Sequence, residues 1–288
     1  FIDSTEIKCV IADTWKSLEL CIDRLNKKKI TTICLVHGNE LILKKNKKIE
    51  IVENILSKTN FIVANSKFTE NLLKKNINID KKINVIYPGA VDLRSIESDK
   101  FLKINGWPVL LTLSRLEKRK GHVFILNSIN ELKKNYPNIR YIIAGDGLEK
   151  NKLKKLVKNY NLSENVIFTG NVNDSQKKFL FECSTLMIMP TIDDSENRSI
   201  EGFGISYIEA SFFGVPSVAS NVGGANEAVL HGETGVVVEK NENLSIILND
   251  LLLNQENIKQ LGEKAKLRAE NSFSWDNVVN KYLSLIQN

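Results

Sequence analysis

The sequence predicts an α/β protein with two domains, each built on a parallel sheet. The chain has 288 residues, of which 42% are hydrophobic, so it can bury a sizeable core and suits two domains of ordinary size. Short runs rich in Val, Ile and Cys alternate with segments whose apolar residues recur every three or four positions. Because strands and helices alternate along the chain, successive strands are expected to lie parallel to one another.

The first part of the chain carries four short apolar runs that predict buried strands, at residues 7–12, 31–36, 61–64 and 83–87. Two intervening segments show helical spacing, over residues 15–25 and 67–75. Ser66 stands directly before the second of these helices and is a suitable N-cap.

A break between domains is predicted after Pro88 and Gly89, which give turn chemistry, in the polar run 94–99. We therefore expect one domain at residues 1–95 and a second at 96–271. The second domain carries six further strands that alternate with helices, a Rossmann-like pattern, at residues 109–113, 140–144, 166–169, 185–189, 217–219 and 235–238. Amphipathic helices are predicted at 255–270 and 275–286, and residues 272–288 form a separate C-terminal element.

The net charge of +6 comes mainly from clustered lysines. Anionic lipid, nucleic acid or a phosphorylated substrate could explain it, and so could an AT-biased coding sequence that makes lysine the common surface residue. No aromatic residues interleave with the clusters, which argues against nucleic acid as a partner. Segment 41–51 combines lysines with apolar residues, so an anionic membrane surface is an expected partner for it.

The chain carries neither a membrane-spanning run nor a metal-binding pattern. No apolar stretch approaches the roughly 20 residues that span a bilayer, so we expect a cytoplasmic protein, peripheral at most to the inner membrane face. Its four cysteines show no CxxC spacing, which predicts reduced thiols and no zinc site.

The stretch EGFGISYIE places Glu201 and Glu209 on either side of a glycine-bracketed turn that opens a helix. Gly202 and Gly204 let the backbone pass close to a ligand, and free amides at the helix start favour an anion such as phosphate. The two carboxylates are then suited to accept hydrogen bonds from hydroxyls on either side of a diphosphate, as in a nucleotide-sugar. The alternative is a helix N-terminus that carries Glu only because negative charge complements the helix dipole.

Five motifs together resemble glycosyltransferase family 4, whose members are retaining enzymes of the two-domain GT-B fold. They are VHGNE at 36–40, SRLEKRKG at 114–121, AGDG at 144–147, TGNV at 169–172 and EGFGISYIEA at 201–210. The sequence is most similar to the phosphatidylinositol mannosyltransferase branch. Family members begin with strands and a glycine-rich loop that have no counterpart here, so the resemblance implies an N-terminal domain that is truncated. In the family the last helix crosses back to brace the first domain.

The resemblance assigns Arg115 and Lys120 to the donor phosphates. Both follow the predicted strand 109–113, and ligands bind at the carboxyl ends of parallel strands. A transferase without a metal needs fixed cations where the leaving diphosphate develops charge, so no cofactor is expected. Lys118 and Arg119 lie between them and are alternatives for the same role.

His37 follows the predicted strand 31–36 and should face the cleft between the domains. A lone histidine there is commonly structural, but Gly38 follows it and the pair matches the family's HG motif. The resemblance implies contact between His37 and the transferred sugar.

The resemblance also assigns a set of residues to the nucleotide-sugar. Gly145 and Gly147 line the nucleotide side, Asn171 and Val172 meet the base, and Glu209 accepts from the ribose hydroxyls. Glu201 holds hydroxyls of the sugar, while Phe203, Gly204 and Ile205 give backbone contacts. Gly223 and Gly224 are interpreted as a structural turn.

The resulting hypothesis is a retaining hexosyltransferase that uses a nucleoside-diphosphate sugar, with mannose from GDP-mannose favoured. A lipid or glycan hydroxyl is the expected acceptor. Two alternatives remain open: a chain that binds nucleotide-sugar without turning it over, and a sugar epimerase of the same fold.

Overall fold

The computed structural model describes residues 6–43 and 46–287, with only the backbone at residues 46 and 47. Within these residues, ten strands form two parallel sheets of four and six strands. All ten strands fall where the sequence predicts them, with bounds that differ by at most two residues at an end. The predicted α/β class with two parallel sheets is therefore confirmed.

The first sheet has the strand order β1-β2-β3-β4, every pair parallel. Its elements in chain order are β1 (Cys9–Ala12), α1 (Trp15–Leu18), α2 (Ile22–Lys27), β2 (Thr31–Val36), α3 (Asn46–Lys58), β3 (Phe61–Ala64), α4 (Lys67–Asn76) and β4 (Ile83–Val85). The predicted N-cap of α4 is confirmed, since the Ser66 side chain accepts a hydrogen bond from the Thr69 amide.

The prediction of one helix over residues 15–25 is wrong, because α1 and α2 are separate. The amide of Cys21 bonds to the carbonyl of Leu18, three residues back, which tightens the chain and ends the first helix. Trp15, Leu18, Ile22 and Leu25 all reach the core, while Leu20 between the helices is 98% exposed. The two short helices thus bury the apolar residues that the helical spacing indicated, although the chain does not form one continuous helix.

The second sheet has the order β10-β9-β8-β5-β6-β7. Its elements are β5 (Val109–Leu113), α5 (His122–Leu132), β6 (Arg140–Ala144), α6 (Lys150–Asn159), β7 (Val166–Gly170), α7 (Asp174–Cys183), β8 (Leu186–Met189), α8 (Ile205–Phe212), β9 (Ser217–Ser220), α9 (Ala225–Ala228), β10 (Gly235–Val238), α10 (Leu244–Leu253), α11 (Gln255–Ser272) and α12 (Trp275–Gln287). The order of winding reverses between β5 and β8, and ligands bind parallel sheets at such a switch point.

The last helix packs on the first sheet although it follows the second in sequence. Val278 of α12 is buried in a cluster with Ile33, Val63 and Ile86 from the first sheet. The sheets therefore lie on either side of the predicted boundary at residues 95 and 96, and the chain crosses back at its end. The exact boundary stays a prediction.

Within the described residues, no helix combines the length and hydropathy that crossing a membrane requires. Segment 41–51, for which a membrane contact was predicted, lies partly outside the residues that the structure describes.

Gly262 in the middle of α11 is predicted to resist the change to Ala that usually strengthens a helix. A Cβ there would lie 2.0 Å from the Gly214 carbonyl oxygen, so Gly262→Ala should force α11 away from the end of α8. We expect it to lower stability by about 1–3 kcal/mol rather than to raise it by the roughly 1 kcal/mol of helix propensity. The midpoint of urea unfolding measures this.

The control is Glu263→Ala, one position along the same helix on its exposed side. A Gly262→Ala protein as stable as the parent would contradict the close packing of α11 on α8.

Candidate functional site

A cleft opens at the carboxyl ends of β5, β6 and β7, beside the switch point of the second sheet. Its volume is about 370 Å³, within the size range of small-molecule sites. Five residues that the sequence singled out line it: Arg115, Gly145, Asn171, Val172 and Glu209. Three strand ends and helix α8 thus bring residues from four of the five motifs to one place.

The glycines of the AGDG motif have different surroundings. Gly145 has a φ of +135° and lines the cleft, where a Cβ would lie 1.9 Å from the Ser114 carbonyl oxygen. Gly147, with a φ of +158°, packs against Leu116, whose carbonyl oxygen would lie 2.6 Å from an added Cβ. Gly147 is therefore absent from the cleft lining and lets the loops after β5 and β6 approach each other.

Helix α8 begins where the sequence predicts, with Gly204 at its N-cap in the left-handed region at a φ of +95°. The amides of Ile205 and Ser206 stand in its first turn, where no intrahelical acceptor is available. Ser206 and Glu209 both line the cleft. The start of α8 thus presents donors, and its second turn a carboxylate, to the same space.

Lys177 of α7 also lines the cleft, and sequence analysis missed it. Its Nζ lies 3.6 Å from Oε1 of Glu209 and 3.1 Å from Oδ1 of Asp174. Burial raises the pKa of the Glu209 carboxyl, and the Lys177 ammonium opposes that rise. In the sequence Lys177 looks like an ordinary surface lysine of an amphipathic helix, and only its position eight residues after TGNV's Thr169 hints at the cleft.

A chain of alternating charges runs from Arg115 to Lys120 and continues into the next motif. Nη1 of Arg115 lies 2.9 Å from Glu117, which also bonds Nε of Arg119 at 3.1 Å. Nη1 of Arg119 and Nζ of Lys120 then meet the same oxygen of Glu201, Oε2, at 2.6 Å and 2.5 Å.

The two ends of this chain differ in burial. The Arg115 side chain is 70% exposed and faces the cleft, whereas Arg119, Lys120 and Glu201 are 5%, 7% and 8% exposed. Burial alone would raise the pKa of the Glu201 carboxyl, but Lys120 and Arg119 together hold it below its ordinary value. Glu201 is therefore a buried anion between two cations, a partnership that the sequence analysis did not foresee when it assigned this residue to sugar hydroxyls.

Phe203 and Ile205 flank the start of α8 and point in different directions. The Phe203 ring is 2% exposed and stacks on Tyr87 with centroids 5.2 Å apart, so only its backbone can meet a ligand. Ile205 is 45% exposed. It lines an apolar cavity of about 460 Å³ between the first sheet and α12.

His37 lines that same cavity at the end of β2. Its Nε2 lies 2.9 Å from the Asp13 carbonyl oxygen, and its amide donates to Oε1 of Glu40 at 2.5 Å. The His37 carbonyl packs closely against residues 201–204, the EGFG loop, since a Cβ on Gly202 would lie 2.2 Å from the His37 carbonyl oxygen. His37 thus faces the junction of the domains as predicted, and its role towards a sugar stays a prediction.

Comparison with known proteins identifies the family. The family profile described as "Glycosyl transferases group 1" matches residues 94–268, which include the second sheet and all the cleft residues. The chain belongs to this family.

Two relatives in sequence illustrate the similarity. The chain is 31% identical over 170 residues to a GDP-mannose-dependent alpha-(1-6)-phosphatidylinositol monomannoside mannosyltransferase of Mycolicibacterium smegmatis, covering 58% of this chain and 44% of that enzyme. It is 30% identical over 276 residues to an uncharacterized 41.2 kDa protein in the cps region of Klebsiella pneumoniae, covering 91% of this chain and 72% of that protein. The chain therefore spans less than half the length of the mycobacterial enzyme.

Among solved structures, HepE (Alr3699) of Anabaena in complex with UDP superposes with a TM-score of 0.84 at 20% identity, covering 97% of this chain and 78% of that one. At this identity the match shows the fold. The GT-B architecture implied by the five motifs is confirmed.

Lys177→Met should make nucleotide binding more sensitive to acid. Without the ammonium the pKa of the partly buried Glu209 carboxyl rises further, so this carboxyl takes up a proton at a higher pH and loses an acceptor site. As the pH is lowered from neutral into the acid range, GDP affinity should weaken about three- to tenfold more than in the parent. Isothermal titration calorimetry at several pH values measures this.

Two controls isolate the effect. Lys155→Met removes an exposed lysine of α6 and should leave the pH profile unchanged. Dideoxy-GDP, which lacks ribose hydroxyls, should bind Lys177→Met and the parent with the same pH dependence. Identical GDP profiles for the two lysine variants would refute the coupling between Lys177 and Glu209.

Proposed function

We propose that this protein is a retaining hexosyltransferase that transfers a sugar from a nucleoside diphosphate to a hydroxyl of a lipid or glycan. Mannose from GDP-mannose is the favoured donor. The mycobacterial relative, GDP-mannose-dependent by name, supports that choice over a UDP-sugar.

The observation that carries the proposal is the cleft at the switch point. It combines an exposed guanidinium at Arg115, the first turn of α8 around Ser206 and the partly buried carboxylate of Glu209. A guanidinium and helix-start amides bind phosphate oxygens, and a carboxylate accepts hydrogen bonds from the two hydroxyls of a ribose. One nucleoside diphosphate can satisfy all three, with its base towards Asn171 and Val172.

In the buried cluster, the cations of Arg119 and Lys120 are held by the carboxylate of Glu201, and Arg119 also pairs with the more exposed Glu117. These fixed cations lie beside the loop that leads into α8, in a setting with little water. Preorganised charge of this kind stabilises a leaving diphosphate because it needs no rearrangement during the reaction. Both cations bind Oε2, so Oε1 of Glu201 is the atom we assign to a sugar hydroxyl.

The acceptor side is proposed to be the apolar cavity beside His37. Ile205 and Trp275 line it and are half exposed, so a lipid or other partly apolar acceptor would suit it better than a purely polar one. Peripheral contact with an anionic membrane is part of the same proposal.

The proposed chemistry is a front-face displacement in which the leaving phosphate helps to remove the proton of the acceptor hydroxyl. Glu201 is held in two ion pairs on Oε2, which suits a binding role better than nucleophilic attack. Glu201→Gln should slow transfer by about 10²-fold or more and should trap no sugar on the protein. Intact-protein mass spectrometry during turnover makes the measurement.

The control for that experiment is Glu256→Gln, an exposed acid in the first turn of α11, which should leave transfer unchanged. A covalent glycosyl adduct on the parent or on the variant would replace the front-face mechanism with a double displacement.

A nucleotide panel tests the donor. In a thermal-shift titration GDP and GDP-mannose should stabilise the protein more than UDP, ADP or their sugars, since binding to the folded state raises the melting temperature. Preference for UDP would overturn the choice of mannose, and failure of every nucleotide would overturn the proposal itself.

Assays with a lipid or glycan hydroxyl then separate turnover from binding. Binding without transfer would favour the binding-only alternative, and an altered donor sugar without transfer would favour an epimerase. Turnover retained in EDTA is expected, because protein cations are proposed to meet the charge of the diphosphate.

A further inference from the structure

A carboxylate of the second domain binds the start of a helix in the first domain. Oε2 of Glu227 in α9 accepts a hydrogen bond from the Lys67 amide, and Oε1 accepts one from the Phe68 amide, each at 2.7 Å. These amides open α4, where no intrahelical acceptor exists and where negative charge is stabilised. Ser66, the N-cap of α4, satisfies the next amide, that of Thr69. The helix is therefore capped from both domains.

The second domain holds Glu227 in place from behind. The Arg268 guanidinium donates to the carbonyl oxygens of Glu227 and Ala228 at 2.6 Å and 2.5 Å, and it lies 4.8 Å from the Phe273 ring centroid. The preceding turn is equally fixed, because a Cβ on Gly223 would lie 2.1 Å from the Glu201 carbonyl oxygen. A side chain supported in this way can set the position of whatever it binds.

The turn before Glu227 also contacts the loop that carries Glu201. The Gly224 amide donates to the Glu201 carbonyl at 2.9 Å. Tyr87 of the first half stacks on Phe203 and hydrogen-bonds Glu227, and burial together with that carboxylate raises the pKa of Tyr87 to about 12. Glu227 is thus linked to both domains and, through Gly224 and Tyr87, to the EGFG loop.

The same interface joins the His37 loop to the EGFG loop. The Ile200 amide donates to Oδ1 of Asn39 at 2.7 Å, and Gly202 lies directly against the His37 carbonyl. These contacts cross between domains, so they depend on the angle at which the domains meet. The bond from Glu227 to α4 is a charged, doubly hydrogen-bonded contact that can fix this angle.

We propose that Glu227 is a positioning residue: by binding the N-terminus of α4 it sets the angle between the domains and holds His37 against the loop of Glu201. Its kinetic consequence rests on the proposed function. The role differs from that of a simple helix cap, which would stabilise α4 without affecting contacts elsewhere between the domains.

Glu227→Gln and Ser66→Ala separate these roles. Both remove a capping acceptor from α4, but only Glu227→Gln changes a bond between domains, because its single carbonyl oxygen can serve one of the two amides and its NH₂ group faces the other. Hydrogen–deuterium exchange of the amide of Ile200, remote in sequence from α4, reports on the contact with Asn39.

We expect exchange at Ile200 to become about tenfold faster in Glu227→Gln and to stay within about twofold of the parent in Ser66→Ala. GDP binding should stay within about twofold of the parent, because the cleft lies wholly in the second domain. In a transfer assay kcat should fall about tenfold with little change in donor KM.

Unchanged exchange at Ile200 in Glu227→Gln, or an equal increase in Ser66→Ala, would overturn the proposal and leave Glu227 as a cap. Should Glu227→Gln fail to fold, Glu227→Asp takes its place, since it keeps the charge but withdraws the carboxylate by one methylene, and faster exchange at Ile200 is again expected. Amide exchange and GDP binding test the positioning role of Glu227 even if the parent shows no transfer. Failure of the proposed function can therefore be told apart from failure of this inference.

Discussion

The buried ion cluster of Glu201 with Arg119 and Lys120 is the constraint on which the rest of the site depends. Burying three charged groups is costly unless they are paired, and removing one partner of a buried pair costs about 3–5 kcal/mol. The loop after β5 and the loop before α8 are therefore tied to each other. Because the folded-state pKa of Glu201 lies below its ordinary value, the stability this carboxylate contributes is present at neutral pH and is lost only as the pH falls through the acid range. Arg115 stays exposed and available to a ligand, while Arg119 and Lys120 are paired with Glu201 and fix the two loops.

The ligand cleft and the buried ion cluster have different roles, yet residues of both come from the same sequence motifs. Arg115 and Lys120 stand five residues apart in one motif, yet one side chain faces the cleft and the other is buried against Glu201. Glu201 and Glu209 stand in one motif too, and only Glu209 lines the cleft. The glycines of the AGDG motif differ in the same way. In each short segment, some residues thus line the ligand cleft while others hold the loops in place.

Strand positions and the parallel topology could be predicted from the sequence because they depend on local pattern. Runs such as Thr31–Val36 are rich in β-branched residues, and α4 begins at a serine cap. The break between α1 and α2 could not be predicted in this way, since both halves carry the same helical spacing and only tertiary packing separates them.

Side-chain partnerships between distant segments could not be predicted from the sequence either. Arg119 and Glu201 are 82 positions apart, and Glu227 and Lys67 are 160 apart. Lys177 faces Glu209 because two helices happen to flank one strand end. Residue type and spacing identify candidates within a segment, but the pairing of one segment with another depends on how the sheets are wound.

Because α12 returns to the first sheet, the first domain is completed only by the last helix of the chain. The chain leaves the first sheet after β4, builds the whole second sheet, and supplies the cover for Ile33 and Val63 only with its final helix. A piece ending near residue 95 would expose that apolar face to water, and a piece starting there would carry a helix with nothing to cover. Separate expression of the halves is therefore a poor route to either domain, and an engineered split would need α12 to be grafted onto the first half.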